Sequence, residues 1–257
     1  MHGKILVIDA IATNRIVLRV KLAASHYEIA QADSITGAMH HIQTGTPDMI
    51  LCADTLPDGG PLRLQAQLRK AGLAGKVPVV VIGAPGVTQD RQRLFAAGVE
   101  DVLERPVDDQ LLLARTRCVL RAYDWASDWT LRDVTSRALG FAEPGTQFAQ
   151  RQMVRIVADD PTELEAWQAA LGAVVPAALT SCKPGAAVVL DADGQVPDAF
   201  VLLVQPKSAT NMLGLLATIR SHASTRHSAI LVVQKNPDPR VGAQLLDMGA
   251  NDLIGFD

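Results

Sequence analysis

Pro47-Asp48-Met49-Ile50-Leu51-Cys52-Ala53-Asp54-Thr55-Leu56-Pro57-Asp58-Gly59-Gly60 is the stretch that decides the fold. Met49 to Ala53 is apolar without alternation, which is the pattern of a strand buried on both faces. The Pro57, Gly59 and Gly60 cluster then ends the strand in a turn. Crossover helices lie on the faces of parallel sheets, so a strand covered on both sides points to a parallel α/β sheet. The next helix is expected from Pro61.

The same grammar extends in both directions. Strands are expected at Lys4–Asp9, Tyr27–Ala32, Met49–Ala53, Val77–Gly83 and Val99–Leu103, and helices at Thr13–Ala24, Ser34–Thr44, Pro61–Ala71, Thr88–Ala97 and Asp108–Tyr123. Gly72 and Gly98 follow helices where a left-handed residue is wanted, and Ser34 and Asp108 precede helices where an N-cap oxygen is wanted. The pattern then recurs, with strands at Met153–Ala158, Val174–Leu179, Phe200–Val204, Ile230–Val233 and Asp252–Ile254 and helices at Thr162–Leu171, Met212–His222 and Arg240–Met248.

Local echoes tie the halves together. Ala97-Gly98-Val99-Glu100-Asp101-Val102-Leu103 is similar to Met248-Gly249-Ala250-Asn251-Asp252-Leu253-Ile254, Val7-Ile8-Asp9 to Val157-Ala158-Asp159, and Leu68-Arg69 to Ile219-Arg220, all at an offset of 150 or 151. An internal duplication is the economical reading. It gives a domain at 1–125, a linker at 126–150 that is polar and aromatic and ends in the turn signal Glu143-Pro144-Gly145, and a second domain at 151–257.

Composition narrows the function. With 48% hydrophobic and 20% charged residues over 257 positions, the chain is expected to be globular, with a sizeable core. A net charge of −3 provides no basic field for nucleic acid or an anionic membrane, and no apolar run has spanning length. Cys52, Cys118 and Cys182 form neither a disulfide framework nor metal-ligand spacing, so a reducing cytoplasm is expected. No G-x-G-x-x-G, P-loop or G-x-S-x-G follows a strand, which leaves a small-molecule enzyme on a doubly wound sheet without support.

Lys4-Ile-Leu-Val-Ile-Asp9, the Pro47 to Pro57 block, Val77-Pro-Val-Val-Val-Ile82, Gly98-Val-Glu-Asp101 and Arg105-Pro-Val-Asp108 together resemble bacterial response-regulator receiver domains. The second half resembles the same family more weakly through Val154 to Asp160 and Met248 to Ile254. The duplicated arrangement is similar to the tandem receivers at the front of PleD-type diguanylate cyclases. The resemblance implies two consecutive flavodoxin/CheY-like (βα)5 domains with parallel five-stranded sheets. In that family, two acids after the first strand and an aspartate ending the third hold Mg²⁺, and the aspartate takes up a phosphoryl group. A hydroxyl residue ending the fourth strand and a lysine after the fifth bind the phosphoryl oxygens. Such a site must crowd oxygens around a hard cation and neutralise charge at phosphorus.

Carried across position by position, the resemblance finds Asp9 kept, Ala10 beside it, Ala53 at the nucleophile, Gly83 at the hydroxyl and Arg105 at the lysine. Asp54 is one residue from the acceptor position. A one-residue shift along a strand turns a side chain to the opposite face, so Asp54 should point away unless the strand end bulges. Asp9 is read as either a residual cation ligand or a turn-capping carboxylate, and Arg105 as either a partner of Asp9 or a solvated loop cation. Asp159 and Asp160 fall after the first strand of the second copy, as weak metal candidates or as an N-cap pair ahead of Pro161. The third and fourth strands of that copy end without a carboxylate or a hydroxyl.

Three further features are read as structural. Arg121-Ala-Tyr-Asp124 spells the R-x-x-D of an inhibitory cyclic-di-GMP site but is also an ordinary i,i+3 helix pair. Trp125 and Trp129 are spaced for an inter-domain or inter-subunit contact or for packing within the chain. Adjacent His40 and His41 face different directions and mark no site.

The reading is a phosphorylation-incompetent pseudo-receiver tandem that acts as a non-catalytic regulatory and dimerisation module of a diguanylate cyclase-like protein. Its alternative is an active receiver phosphorylated at Asp54 with Mg²⁺. Expected partners are a histidine kinase or other signalling proteins, its own output domain and a second copy, with no cofactor outside the alternative. The second copy stops just after its fifth strand. We therefore expect the natural parent to continue into a fifth helix and an output domain, and this chain to cover the gap by self-association.

Overall fold

The computed structural model describes residues 3–84, 86, 90–138, 152–189 and 195–256. They fall into two compact units, Met1–Ser127 and Asp128–Asp257. Unit 1 runs β1 (Lys4–Ile8), α1 (Ala12–Ala23), β2 (Glu28–Ala32), α2 (Ile35–Thr44), β3 (Met49–Ala53), α3 (Pro61–Lys70), β4 (Val79–Gly83), α4 (Arg91–Ala96), β5 (Asp101–Glu104) and α5 (Asp109–Ala138). The strands are parallel in the order β2-β1-β3-β4-β5.

Strand alternation divides the core into two layers. Leu6, Ile8, Ile50 and Cys52 pack with Ile35 and Ala38 of α2 and with Leu64 and Leu68 of α3. Ile5, Val7, Leu51 and Ile82 face the other way, onto Leu22 of α1 and Leu112 and Val119 of α5. Each such side chain contributes about 1.5–3 kcal/mol on burial, so the unbroken apolar strands are what require helices on both faces. Ser34 caps α2 through Gly37 N–H at 3.3 Å, and Gly72 and Gly98 adopt φ of 70° and 96° after their helices.

Unit 2 runs β6 (Met153–Val157), α6 (Pro161–Gly172), β7 (Ala178–Cys182), β8 (Ala199–Val204), α7 (Ala209–Ser221), β9 (Ala229–Lys235), α8 (Pro239–Asp247) and β10 (Asp252–Phe256). Its sheet repeats the first, in the order β7-β6-β8-β9-β10, again parallel. Between β7 and β8 the described residues hold one short 3₁₀ turn, Pro184–Ala186. Arg155, 2% exposed on β6, donates to the carbonyls of Ala187 at 2.9 Å and Val189 at 2.6 Å. Irregular backbone here brings carbonyls into the interior, and buried carbonyls need donors.

Two expectations are corrected. The helix predicted to end at Tyr123 continues to Ala138, through the first half of the stretch read as a linker, because Ala126 to Ala138 contains neither Gly nor Pro to stop it. The rest of that stretch, with Glu143-Pro144-Gly145, lies outside the described residues. The strand predicted at Val174–Leu179 begins instead at Ala178, just past Pro176, which cannot donate to a sheet ladder.

Candidate functional site

The carboxyl ends of β1, β3, β4 and β5 converge on Asp9. Asp9 is 3% exposed, yet its carboxylate is fully engaged. Oδ1 accepts the Ile11 N–H at 2.8 Å, and Oδ2 accepts the Asn14 amide at 3.0 Å and the Arg105 guanidinium at 2.6 Å. Arg15 Nη1 donates to the Asp9 carbonyl at 2.5 Å and to that of Ala10 at 3.1 Å, fixing the turn between β1 and α1. Arg105 N–H donates to the Gly83 carbonyl at 2.8 Å, so the end of β4 holds the backbone that carries the arginine. A buried carboxylate without a cation would cost several kcal/mol, and Arg105, about one-third exposed, supplies that cation. Its planar fork suits a carboxylate better than a lysine point charge does.

The other expected positions carry no oxygen into this cluster. Ala53 ends β3 at 6% exposure, packed with Ile8, Ala32 and Leu56. Asp54 turns toward the loop after β4, where Oδ2 accepts the Ala84 N–H at 3.0 Å, and it lines a groove between α3 and α4 with Asp90 and Arg93. Beneath them, burial first, then the negative charges of Asp9, Asp54 and Asp58, push the Cys52 thiol up to about 12. Mg²⁺ does not fit these residues. Both Asp9 oxygens are committed, Ala10 and Ala53 offer none, and no group of three His, Cys, Asp or Glu able to hold a metal occurs among the described residues.

Unit 2 fills the corresponding positions with other residues. Ala158 N–H donates to Cys182 O as Asp9 N–H does to Ala32 O, so the strand register puts Ala158 at the place of Asp9 and Asp159 at that of Ala10. This corrects the reading that set Asp159 and Asp160 together as an acid pair. Asp160 is the N-cap of α6, accepting the Thr162 N–H at 2.9 Å. Leu203, paired with Val233 as Ala53 is with Ile82, stands at the acceptor position, and Gln234 stands where Gly83 does. Phe256 occupies the place of Arg105 in the register and packs its ring against Trp167 with centroids 6.0 Å apart.

A family model described as "Response regulator receiver domain" matches residues 5–117. Residues 5–117 thus match the receiver family. Response regulator PleD of Caulobacter vibrioides is 27% identical over 258 residues, covering 99% of this chain and 56% of its own length. The phosphate regulon transcriptional regulatory protein PhoB of Escherichia coli is 27% identical over 121 residues, 47% of this chain and 53% of its own. The chain thus spans little more than half the length of these relatives. A putative response regulator from Chloroflexus aurantiacus has a TM-score of 0.45 at 26% identity, covering 47% of this chain and 99% of its own. The chain is a two-component response regulator region with two consecutive CheY-like receiver folds, and no described helix is long and apolar enough to cross a membrane.

The receiver resemblance located the positions but left three contributors unread: Asn14 and Arg15 at the Asp9 turn, and Asp58 beyond it. Asp58 caps the start of α2, accepting the N–H groups of Ile35 at 2.9 Å and Thr36 at 2.8 Å and the Thr36 hydroxyl at 2.9 Å. Burial works to raise its carboxyl, but these hydrogen bonds hold it below the usual carboxylate range. Asp58 follows Pro57 in a turn, the kind of place from which an acidic side chain reaches backbone donors. Arg121 and Asp124 line a groove with Tyr27 and Asp48, at the end of the sheet opposite Asp9. Trp125 is exposed, and the side chain of Trp129 lies outside the described residues.

Proposed function

We propose that this receiver tandem is phosphorylation-incompetent and signals through its surfaces, as a regulatory and dimerisation module of a diguanylate cyclase-like protein. The observation that carries the reading is the ion pair between Arg105 and Asp9, beside an alanine at the acceptor position. In a working receiver that carboxylate would help hold Mg²⁺; here a side chain of the protein neutralises it permanently. Unit 2 carries Leu203 at the corresponding acceptor position, which supports the same conclusion for both domains. The resemblance to PleD-type cyclases supplies the output and the cyclic-di-GMP context of the proposal, with signalling proteins as partners. Incubation with a small phosphodonor and Mg²⁺, followed by intact-mass measurement, tests it. The unmodified mass is expected, and an acid-stable, base-labile phosphoryl adduct on either unit would refute the proposal.

A further inference from the structure

A cleft of about 470 Å³ lies between α1 and the turn that leads from β5 into α5, on the α1 and α5 side of the unit 1 sheet. Its walls are apolar: Val17 and Leu18 from α1, Val107 from the turn and, at the bottom, Ile82 and Leu112, which are 2% and 1% exposed and belong to the core. Val17 is 42% exposed, so the cleft is open to solvent. It is not a sheet face that lacks its cover. Leu22 of α1 and Leu112 of α5 both pack on this layer, and Lys21 of α1, which lines the cleft, pairs with Asp109 of α5. The volume falls within the range of small-molecule pockets, and the carboxyl ends of parallel strands are where open α/β sheets bind ligands.

The polar groups of the cleft are Asn14, Lys21 and Arg105. Arg105 gives Nη2 to Asp9 at 2.6 Å, and among the described residues its Nη1 and Nε meet no partner, with the side chain 31% exposed. Asn14 is turned to the same Asp9 oxygen, at 3.0 Å. Asp9 thus fixes one side of the guanidinium and leaves the rest of the fork for a second acceptor. Helix α1 adds Arg15, Arg19 and Lys21 and no acid, so the field on this side favours an anion.

We propose that this cleft binds a small monocarboxylate with a branched or aromatic body. Arg105, whose planar fork matches two oxygens, holds the carboxylate, and the body is buried against Val17, Leu18 and Val107. A single charge fits better than the double charge of a phosphate, because the Asp9 carboxylate already sits 2.6 Å from the same guanidinium and repels a second anion in proportion to its charge. The cleft is distinct from the acceptor position, since neither Ala53 nor Asp54 lines it. The inference does not depend on whether either unit accepts phosphate.

The probe is 4-phenylbutanoate, titrated into the ¹⁵N-labelled 257-residue chain, with 4-phenylbutanamide as its uncharged counterpart. Saturable shifts of the Val17, Leu18 and Val107 amide signals are expected for the acid, with a Kd of roughly a millimolar for a molecule of this size. The uncharged amide should bind about tenfold or more weakly. Val17→Asp, at an exposed position where the fold should be kept, places a carboxylate in the cleft and should weaken binding of the acid about tenfold or more. Arg105→Gln should abolish the difference between acid and amide, and Arg105→Lys should restore part of it. Backbone signals at these positions that ignore the probe would overturn the proposal, whether the cleft stays empty or is filled by a second copy or by another segment of the chain. So would equal binding of acid and amide, or binding indifferent to Val17→Asp.

Discussion

Ala53 and Leu203 stand at the same point of their two sheets, paired with Ile82 and Val233 of the neighbouring strand, and neither side chain carries an oxygen. The two units differ at the positions that the receiver resemblance assigns to acids. Unit 1 keeps the first of the pair as Asp9 and unit 2 the second as Asp159, while the cation after the last strand is Arg105 in one and is replaced by Phe256 in the other. An alanine or leucine at the strand end satisfies burial on its own.

The Arg105 pair should be measurable. Removing it with Arg105→Met strands a buried carboxylate, and hydrogen bonds to charged groups contribute about 1.5–3 kcal/mol, with the lower end expected for a partly exposed arginine. Urea unfolding should show the midpoint falling at unchanged m-value, and Asp9→Asn in the same background should restore part of the loss. A midpoint unmoved by Arg105→Met would mean that the pair contributes nothing.

Asp54 should be dispensable. Its carboxylate accepts the Ala84 N–H, so Asp54→Ala costs about 0.5–1.5 kcal/mol of loop stability and leaves phosphodonor behaviour unchanged. A phosphoryl adduct that disappears in this variant would identify Asp54 as the acceptor after all.

Acid should act on Asp58. Its carboxyl sits below the usual range in the folded state, so its contribution is fully present above the unfolded value of about 3.9 and is lost as pH falls through the lower folded value. Asp58→Asn should therefore flatten the acid limb of a stability-versus-pH curve, while lowering stability at neutral pH by about 1 kcal/mol, the usual value of a helix cap. Parallel curves for the two proteins would remove Asp58 from the account.

Arg155 holds the segment after β7 in place. Arg155→Leu leaves the Ala187 and Val189 carbonyls without their donor, and should cost about 2–4 kcal/mol. Hydrogen exchange should rise locally at 183–189 before the sheet is affected.

Much of this was legible from the chain because apolar runs and Gly/Pro punctuation carry it. The β3 run, the Gly72 and Gly98 helix ends and the repeat of Ala97–Leu103 at Met248–Ile254 all follow from burial and backbone freedom, which are local properties. The extension of α5 to Ala138 was hidden by a polar, aromatic composition that looks like a linker although nothing in it stops a helix. In the sequence Val157-Ala158-Asp159 mimics Val7-Ile8-Asp9 one residue out of register, and only strand pairing shows that Ala158 takes the place of Asp9. Arg105 and Asp9 are 96 residues apart, so no local pattern could decide between a solvated arginine and an ion pair.

Restoring the lost groups should restore the chemistry. A variant with Ala10→Asp, Ala53→Asp, Gly83→Thr and Arg105→Lys is expected to gain Mg²⁺ affinity and a Mg²⁺-dependent rise in melting temperature. Indifference of this variant to Mg²⁺ would mean that the loops themselves have moved away from receiver geometry.

The most direct measurement is the melting temperature of the unaltered chain with and without Mg²⁺ and beryllofluoride, a phosphoryl mimic. Ligand bound only by the folded state at about a hundred times its Kd would add about 2.7 kcal/mol of stability, a shift of several degrees for a domain of this size. The account predicts no shift for either unit, because Arg105 already neutralises Asp9 and neither acceptor position carries a carboxylate. A clear Mg²⁺-dependent rise would contradict it.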